Sequence, residues 1–220
     1  MVGAPDDLVL WGSGSGVRTM GFIRSCFVGV PMKRHIVWEL VDGVSTEHLT
    51  VEFDPVRADG VVIGVAEDEE TNEPFRVRYR VQCDDSGTVR GVEIGGLDKD
   101  SGIELEHDGE GNWIKNGKPV PELADCRDVD IAVTPFTNTI PIRRLDWKSG
   151  ESETISVVYL DVSAMTAKAV EQQYTCLEPV GSDSGMFQYE SLESGFTAEL
   201  PVDSDGVVED YPGVFRRVEL

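Results

Sequence analysis

The chain has 220 residues, 40% of them hydrophobic, with 41 Asp and Glu against 19 Lys and Arg and a formal net charge of −22. That length and apolar content specify one folded domain with a sizeable core and exclude an intrinsically disordered chain. No basic patch able to neutralise a phosphate backbone is present, so nucleic acid is excluded as an expected partner.

In chain order, residues 1–31 come first, and they differ from the rest of the chain. Asp6 and Asp7 stand near the start and Arg24 interrupts the apolar run "GFIRSCFVGV", so no signal peptide is read there. Strand patterning begins only after Met32. The expectation is an extension over 1–31, disordered or upstream of the true start, followed by one domain over 32–220.

From Ile36 onward the sequence reads as strand after strand. In "HLTVEFD", Leu49, Val51 and Phe53 alternate with Thr50 and Glu52. "GVVIGVA" (60–66) is next, and the acidic run "EDEE" (67–70) reads as a solvated hairpin tip. "PFRVRYRVQC" (74–83) puts Phe75, Val77, Tyr79, Val81 and Cys83 on one face and Arg76, Arg78 and Arg80 on the other. Then come "TVRGVEI" (88–94), "GIELEH" (102–107), "DVDIAV" (128–133) and "ETISVVYLD" (153–161). The last third adds "AKAVEQQYTCL" (167–177), "MFQYESL" (186–192), "GFTAELPV" (195–202) and "GVVEDY" (206–211). Turn clusters such as "DDSG", "DGEGN", "KNGKP" and "DSDG" separate them, which predicts a mainly β chain folded as an antiparallel meander.

One segment reads as helical. The Thr134-Pro135 step is extended, and Asn138 or Thr137 is placed to cap a short helix through Leu145, with Pro141 in its first turn. Ile140 and Leu145 would face a core, with Arg143 and Arg144 elsewhere. An irregular corner accounts for the same residues.

Catalytic signatures are sparse. His35, His48 and His107 sit in no nucleophile, H-x-x-x-H or H-x-E context, so no catalytic residue, metal site or cofactor is assigned. Asp128 and Asp130 share a strand face about 7 Å apart, a spacing open to acid–base chemistry on a sugar and equally open to chance in so acidic a chain. The Arg76, Arg78, Arg80 stripe has two readings, cross-strand pairing with carboxylates or a polar wall for a headgroup. Cys26, Cys83, Cys126 and Cys176 are too widely spaced for a C-x-x-C site and read as buried free thiols. No run of eighteen apolar residues spans a membrane. The cations comprise thirteen Arg and only six Lys. With the excess of acids, that balance reads as adaptation to a salty cytoplasm.

Several motifs carry a resemblance: "DVDIAVTPFTNTIPIRRL", "PFRVRYRV", "DGEGNW", "QQYTCL", "FQYESLESGFTAEL" and "DGVVEDYPGVFRRV". In these motifs, over roughly residues 36–218, the chain resembles the "putative glycolipid-binding" family, formerly a domain of unknown function. The resemblance implies a spiral β-roll, a long curved antiparallel sheet wrapped around one short helix, and a homodimer in some members. It also implies a lipid or glycolipid as ligand, the apolar tail lying in the concavity of the sheet. On that basis Phe136, Asn138, Thr139, Ile140, Arg143 and Arg144, with Arg76, Arg78 and Arg80, are the candidate ligand-binding residues. The competing reading of "TPFTNTIPIRRL" is a structural corner whose arginines pair with Asp128, Asp130 or the segment near the C-terminus. For the whole protein, a non-catalytic binder leads. An enzyme using Asp128 and Asp130, and a dimerising β protein without ligand, are the alternatives.

Overall fold

Alternation of apolar and polar side chains builds nearly every element, because it gives each strand one face to bury and one to solvate. The computed structural model describes residues 33–41, 43–65, 74–97 and 102–219; residues 1–31 with Cys26, and the acidic run 67–70, lie outside them. The chain runs through β1 (Arg34–Leu40), β2 (Ser45–Glu52), β3 (Arg57–Val65), β4 (Pro74–Cys83), β5 (Val89–Gly96), β6 (Gly102–His107), β7 (Trp113–Lys115) and β8 (Lys118–Pro119). A second run comprises β9 (Asp128–Ile131), β10 (Ser152–Asp161), β11 (Thr166–Glu178), β12 (Ser184–Ser191) and β13 (Thr197–Asp203). The chain then returns through β14 (Asp210–Tyr211) and β15 (Phe215–Val218) to pair β15 with β1. One sheet is ordered β14-β15-β1-β2-β3-β4-β5-β6-β7-β8 and the other β13-β12-β11-β10-β9.

The larger sheet curls into a half-barrel around a single short helix, α1 (Thr139–Arg144), so the molecule is a mainly β roll. Its inward positions are those the alternation marks: Leu49 and Val51 on β2, Val77, Tyr79 and Val81 on β4, Val92 and Ile94 on β5. Phe136 and Ile140 complete the same core, at 0% and 1% exposure, together with Val129, Ile131 and Leu160. The concavity that the resemblance offers to an apolar tail is therefore occupied by the chain's own side chains. A second core, between α1 and the smaller sheet, gathers Ile142, Tyr174, Cys176, Phe187, Leu200 and Val202.

Three features depart from the strand reading. β7 and β8 form a hairpin across Asn116 and Gly117, both at positive φ, where the sequence pattern predicts only a turn. β15 is the "FRRV" run, whose four residues are too few for alternation to declare itself. The meander is broken once: β9 pairs parallel to β10, with Asp130 opposite Tyr159. A parallel neighbour requires a long crossover, and residues 132–151 with α1 supply it.

One polar cluster ties the two ends of the roll together. Asp203 accepts hydrogen bonds from Arg34 of β1 at 2.8 Å and Arg217 of β15 at 2.7 Å, and from the backbone N–H groups of Asp205 and Val207. At the middle of the larger sheet, Gly60 makes room for the ring of its register partner Tyr79; a Cβ there would lie 2.2 Å from that ring.

Candidate functional site

The polar residues of the Thr134–Leu145 segment are spent inward, on backbone and on neighbouring strands. Thr134 accepts the N–H of Phe136 at 3.0 Å and donates to Glu47 at 2.8 Å. Thr137 accepts the N–H of Ile131 and donates to Asp130. Asn138 donates to the carbonyl of Pro135 and accepts the Tyr174 hydroxyl at 2.8 Å. Neither Thr137 nor Asn138 therefore caps α1, which instead continues directly from a 3₁₀ turn over Phe136–Asn138. Pro141 lies in the first turn as expected, Ile140 is buried, and Leu145 is half-buried beyond the end of the helix. Thr139 is fully buried, its hydroxyl without a hydrogen-bond partner among the described residues.

The two arginines at the end of α1 diverge. Arg144 forks onto Asp128, with N–H···O distances of 3.1 and 2.5 Å, and Asp128 is 1% exposed. Arg143 donates to the Asp205 carbonyl at 2.8 Å and to Asp54 at 3.0 Å, and its guanidinium lies 4.4 Å from the centre of the Phe53 ring. It forms one wall of an open cleft of about 310 Å³. Its lining also includes the apolar Leu145, Trp147, Pro179 and Val180 and the polar Asp146, Ser204 and Asp205. Trp147 is held by donating to the Ile142 carbonyl and by an edge contact on Phe187.

Asp128 and Asp130 keep separate company. Asp130 accepts from Gln172 at 2.6 Å and from Thr137, and among the described residues no cation pairs with it. Burial pushes the Asp130 carboxyl above its ordinary range, with those two hydrogen bonds pulling the other way. Burial also raises Asp128, opposed by Arg144.

Sequence reasoning misses Glu47, although it is legible there: it is in phase with Leu49 and Val51 on the inward face of β2. It is 2% exposed, accepts from Thr134 and the Tyr79 hydroxyl, and leaves Oε2 without a partner among the described residues. Burial pushes its carboxyl up to about 8. Gln172 and Tyr174 are missed for the same reason, since both are in phase with Cys176 on the buried face of β11.

The arginine stripe of β4 lies on the opposite, outward face. Arg78 forks onto Asp59 of β3, and Arg80 reaches Asp59 at 3.3 Å and Glu93 of β5 at 2.9 Å. Arg76 is exposed on the same face. Cys83, Cys126 and Cys176 are free and buried, and burial raises the pKa of each. No helix among the described residues is long and apolar enough to cross a membrane, and none of their His, Cys, Asp and Glu side chains cluster as a metal site.

A family model described as "Putative glycolipid-binding" matches residues 35–217. The crystal structure of a DUF1089 family protein from Pseudomonas aeruginosa is similar, with a TM-score of 0.70 and 34% identity over 80% of this chain and 92% of that one. No curated protein matches the chain.

Proposed function

Since the chain belongs to the family described as "Putative glycolipid-binding", we propose that it binds an amphiphile without transforming it, in the cleft at the end of α1. The observation that carries this reading is the mixed lining of that cleft, where Trp147, Leu145 and Val180 meet Arg143, Asp146 and Ser204. Apolar and polar groups converging at one opening suit the junction of an amphiphile, its first carbons on Trp147 and its polar linkage near Arg143. A volume of about 310 Å³ fits that junction and not a whole lipid. Phe136, Asn138, Thr139 and Ile140 are buried and do not line the cleft; their part in this reading is to position α1. Arg144 fixes the helix to Asp128, and its commitment there supports binding over acid–base catalysis by the Asp128–Asp130 pair. Arg78 and Arg80 are neutralised by Asp59 and Glu93, so the stripe is a secondary candidate for headgroup contact. The free thiols support a reducing compartment, which we take to be a salt-rich cytoplasm.

The test is displacement of a dansyl-labelled alkyl glycoside. The expected result is saturable binding that weakens about tenfold or more in Trp147→Ala and in Arg143→Ala, with both variants still unfolding cooperatively. Absence of saturable binding in the wild type overturns the reading. Loss of folding in Arg143→Ala, with Trp147→Ala binding normally, makes the segment a structural corner instead.

A further inference from the structure

The loop that leaves β13 serves two parts of the molecule at once. Ser204, Asp205 and Gly206 line the cleft, and Asp203, just before them, holds Arg34 of β1 and Arg217 of β15. The loop is tightly made. One carboxylate oxygen of Asp203 accepts the N–H groups of Asp205 and Val207 at 3.0 and 3.1 Å, and its carbonyl accepts the N–H of Gly206 at 2.8 Å. The other carboxylate oxygen takes both arginines. Burial opposes ionisation of Asp203, yet these hydrogen bonds hold its carboxyl below the ordinary value. Gly206 stands at φ +75°, and a Cβ there would meet Arg143 Cγ at 3.2 Å and Ile142 Cγ2 at 3.3 Å. The loop therefore rests directly on the last turn of α1.

Arg34 joins the two parts. One of its terminal nitrogens donates to Asp203 at 2.8 Å and the other to the Asp205 carboxylate, although Arg34 does not itself line the cleft. The carbonyl of the same Asp205 accepts Arg143 at 2.8 Å. Arg143 has a second partner in Asp54, but that carboxylate is 87% exposed, and an ion pair with so solvated a group fixes little. The Asp205 carbonyl is the firmer anchor, because a backbone oxygen moves only if the loop moves.

We propose that Arg34, on the first strand and outside the cleft, is a positioning residue for it: by holding the Asp205 carboxylate, it sets the carbonyl at which Arg143 is aimed.

The inference rests on the cleft as the binding site and adds what shapes it. Without Arg34, Asp203 still has Arg217 and the two loop N–H groups, so the loop keeps its start. The Asp205 carboxylate loses its arginine, and residues 204–206 gain freedom to swing. Arg143 is then left with Asp54 and the Phe53 ring.

NMR of the guanidinium groups in the full, ligand-free chain reads the aim directly. Rotation about the Arg143 Cζ–Nε bond must break the bond to Asp205, so the wild type should show two separate Nη resonances for Arg143, identified by their loss in Arg143→Ala. They should average to one in Arg34→Ala and in Asp205→Ala. The second variant leaves Asp203 bridging Arg34 and Arg217, so it keeps the closure even if the first does not fold. In displacement of the dansyl-labelled alkyl glycoside, Arg34→Ala should weaken binding about fivefold. Added to Arg143→Ala, it should weaken binding no further, whereas a mere loss of folded protein would weaken both backgrounds alike. Separate Arg143 resonances in the folded variants, or equal weakening in the two backgrounds, overturns the proposal. If the wild type binds no amphiphile while the Arg143 resonances average in the variants, the cleft reading falls and the positioning of Arg143 by Arg34 stands.

Discussion

Glu47 occupies a place where the alternation of β2 calls for an apolar side chain, and its chemistry stems from that misfit. An ionised carboxylate there would lack solvation, so the proton is retained to about pH 8 in the folded protein against an ordinary value of 4.5. In the unfolded chain the proton leaves from about pH 4.5 upward. The folded state therefore binds more protons between these values, and stability falls as pH rises across that window, by about 1.4 kcal/mol per pH unit at most. Glu47→Gln keeps the shape and removes the titration. The two proteins should have similar urea midpoints near pH 5 and diverge toward pH 8 in favour of the variant. Parallel profiles would assign the buried charge no such role. Tyr79 depends on the same arrangement, since its hydroxyl donates to Glu47 and its ring needs the bare backbone of Gly60.

Besides the shared core, one buried ion pair couples β9 to the end of α1, Asp128 with Arg144. Arg144→Ala leaves the carboxylate uncompensated in the core. The expected cost is about 3–5 kcal/mol in urea unfolding at neutral pH, much of it recovered when Asp128→Asn is added. Equal losses in the single and double variants would mean that Arg144 acts by packing and not by charge. At this scale the sequence is a good guide wherever a strand is long enough to alternate, as in β4, and wherever a proline fixes an end, as at Pro135 and Pro141. It is a poor guide to β7, β8 and β15, which are too short to show a period. It is silent on the parallel pairing of β9 and β10, because alternation records which face a side chain takes and not the direction of its neighbour. The candidate site is half legible for a related reason. "TPFTNTIPIRRL" contributes Arg143, but Trp147, Val180 and Ser204 join the cleft only through the crossover and the return of the chain.

Charge acts on the whole molecule. A net charge of −22 on 220 residues repels itself over about 10 Å at 0.1 M salt and over about 3 Å at 1 M. The melting temperature should rise steadily with KCl through this range, and NaCl at equal ionic strength should act alike; a flat or falling curve would remove salt adaptation from the account. The pairing of β1 with β15 has its consequence in time. A ribosome releases β1 first and its partner some 180 residues later, so during synthesis the outer edge of β1 has open hydrogen bonds and no neighbour. Arg34 waits as long for Asp203, and Trp38 for the Val208 carbonyl. The roll cannot be sealed in the order in which it is made, and its first strand is the one that a chaperone, or a second nascent copy, would meet longest.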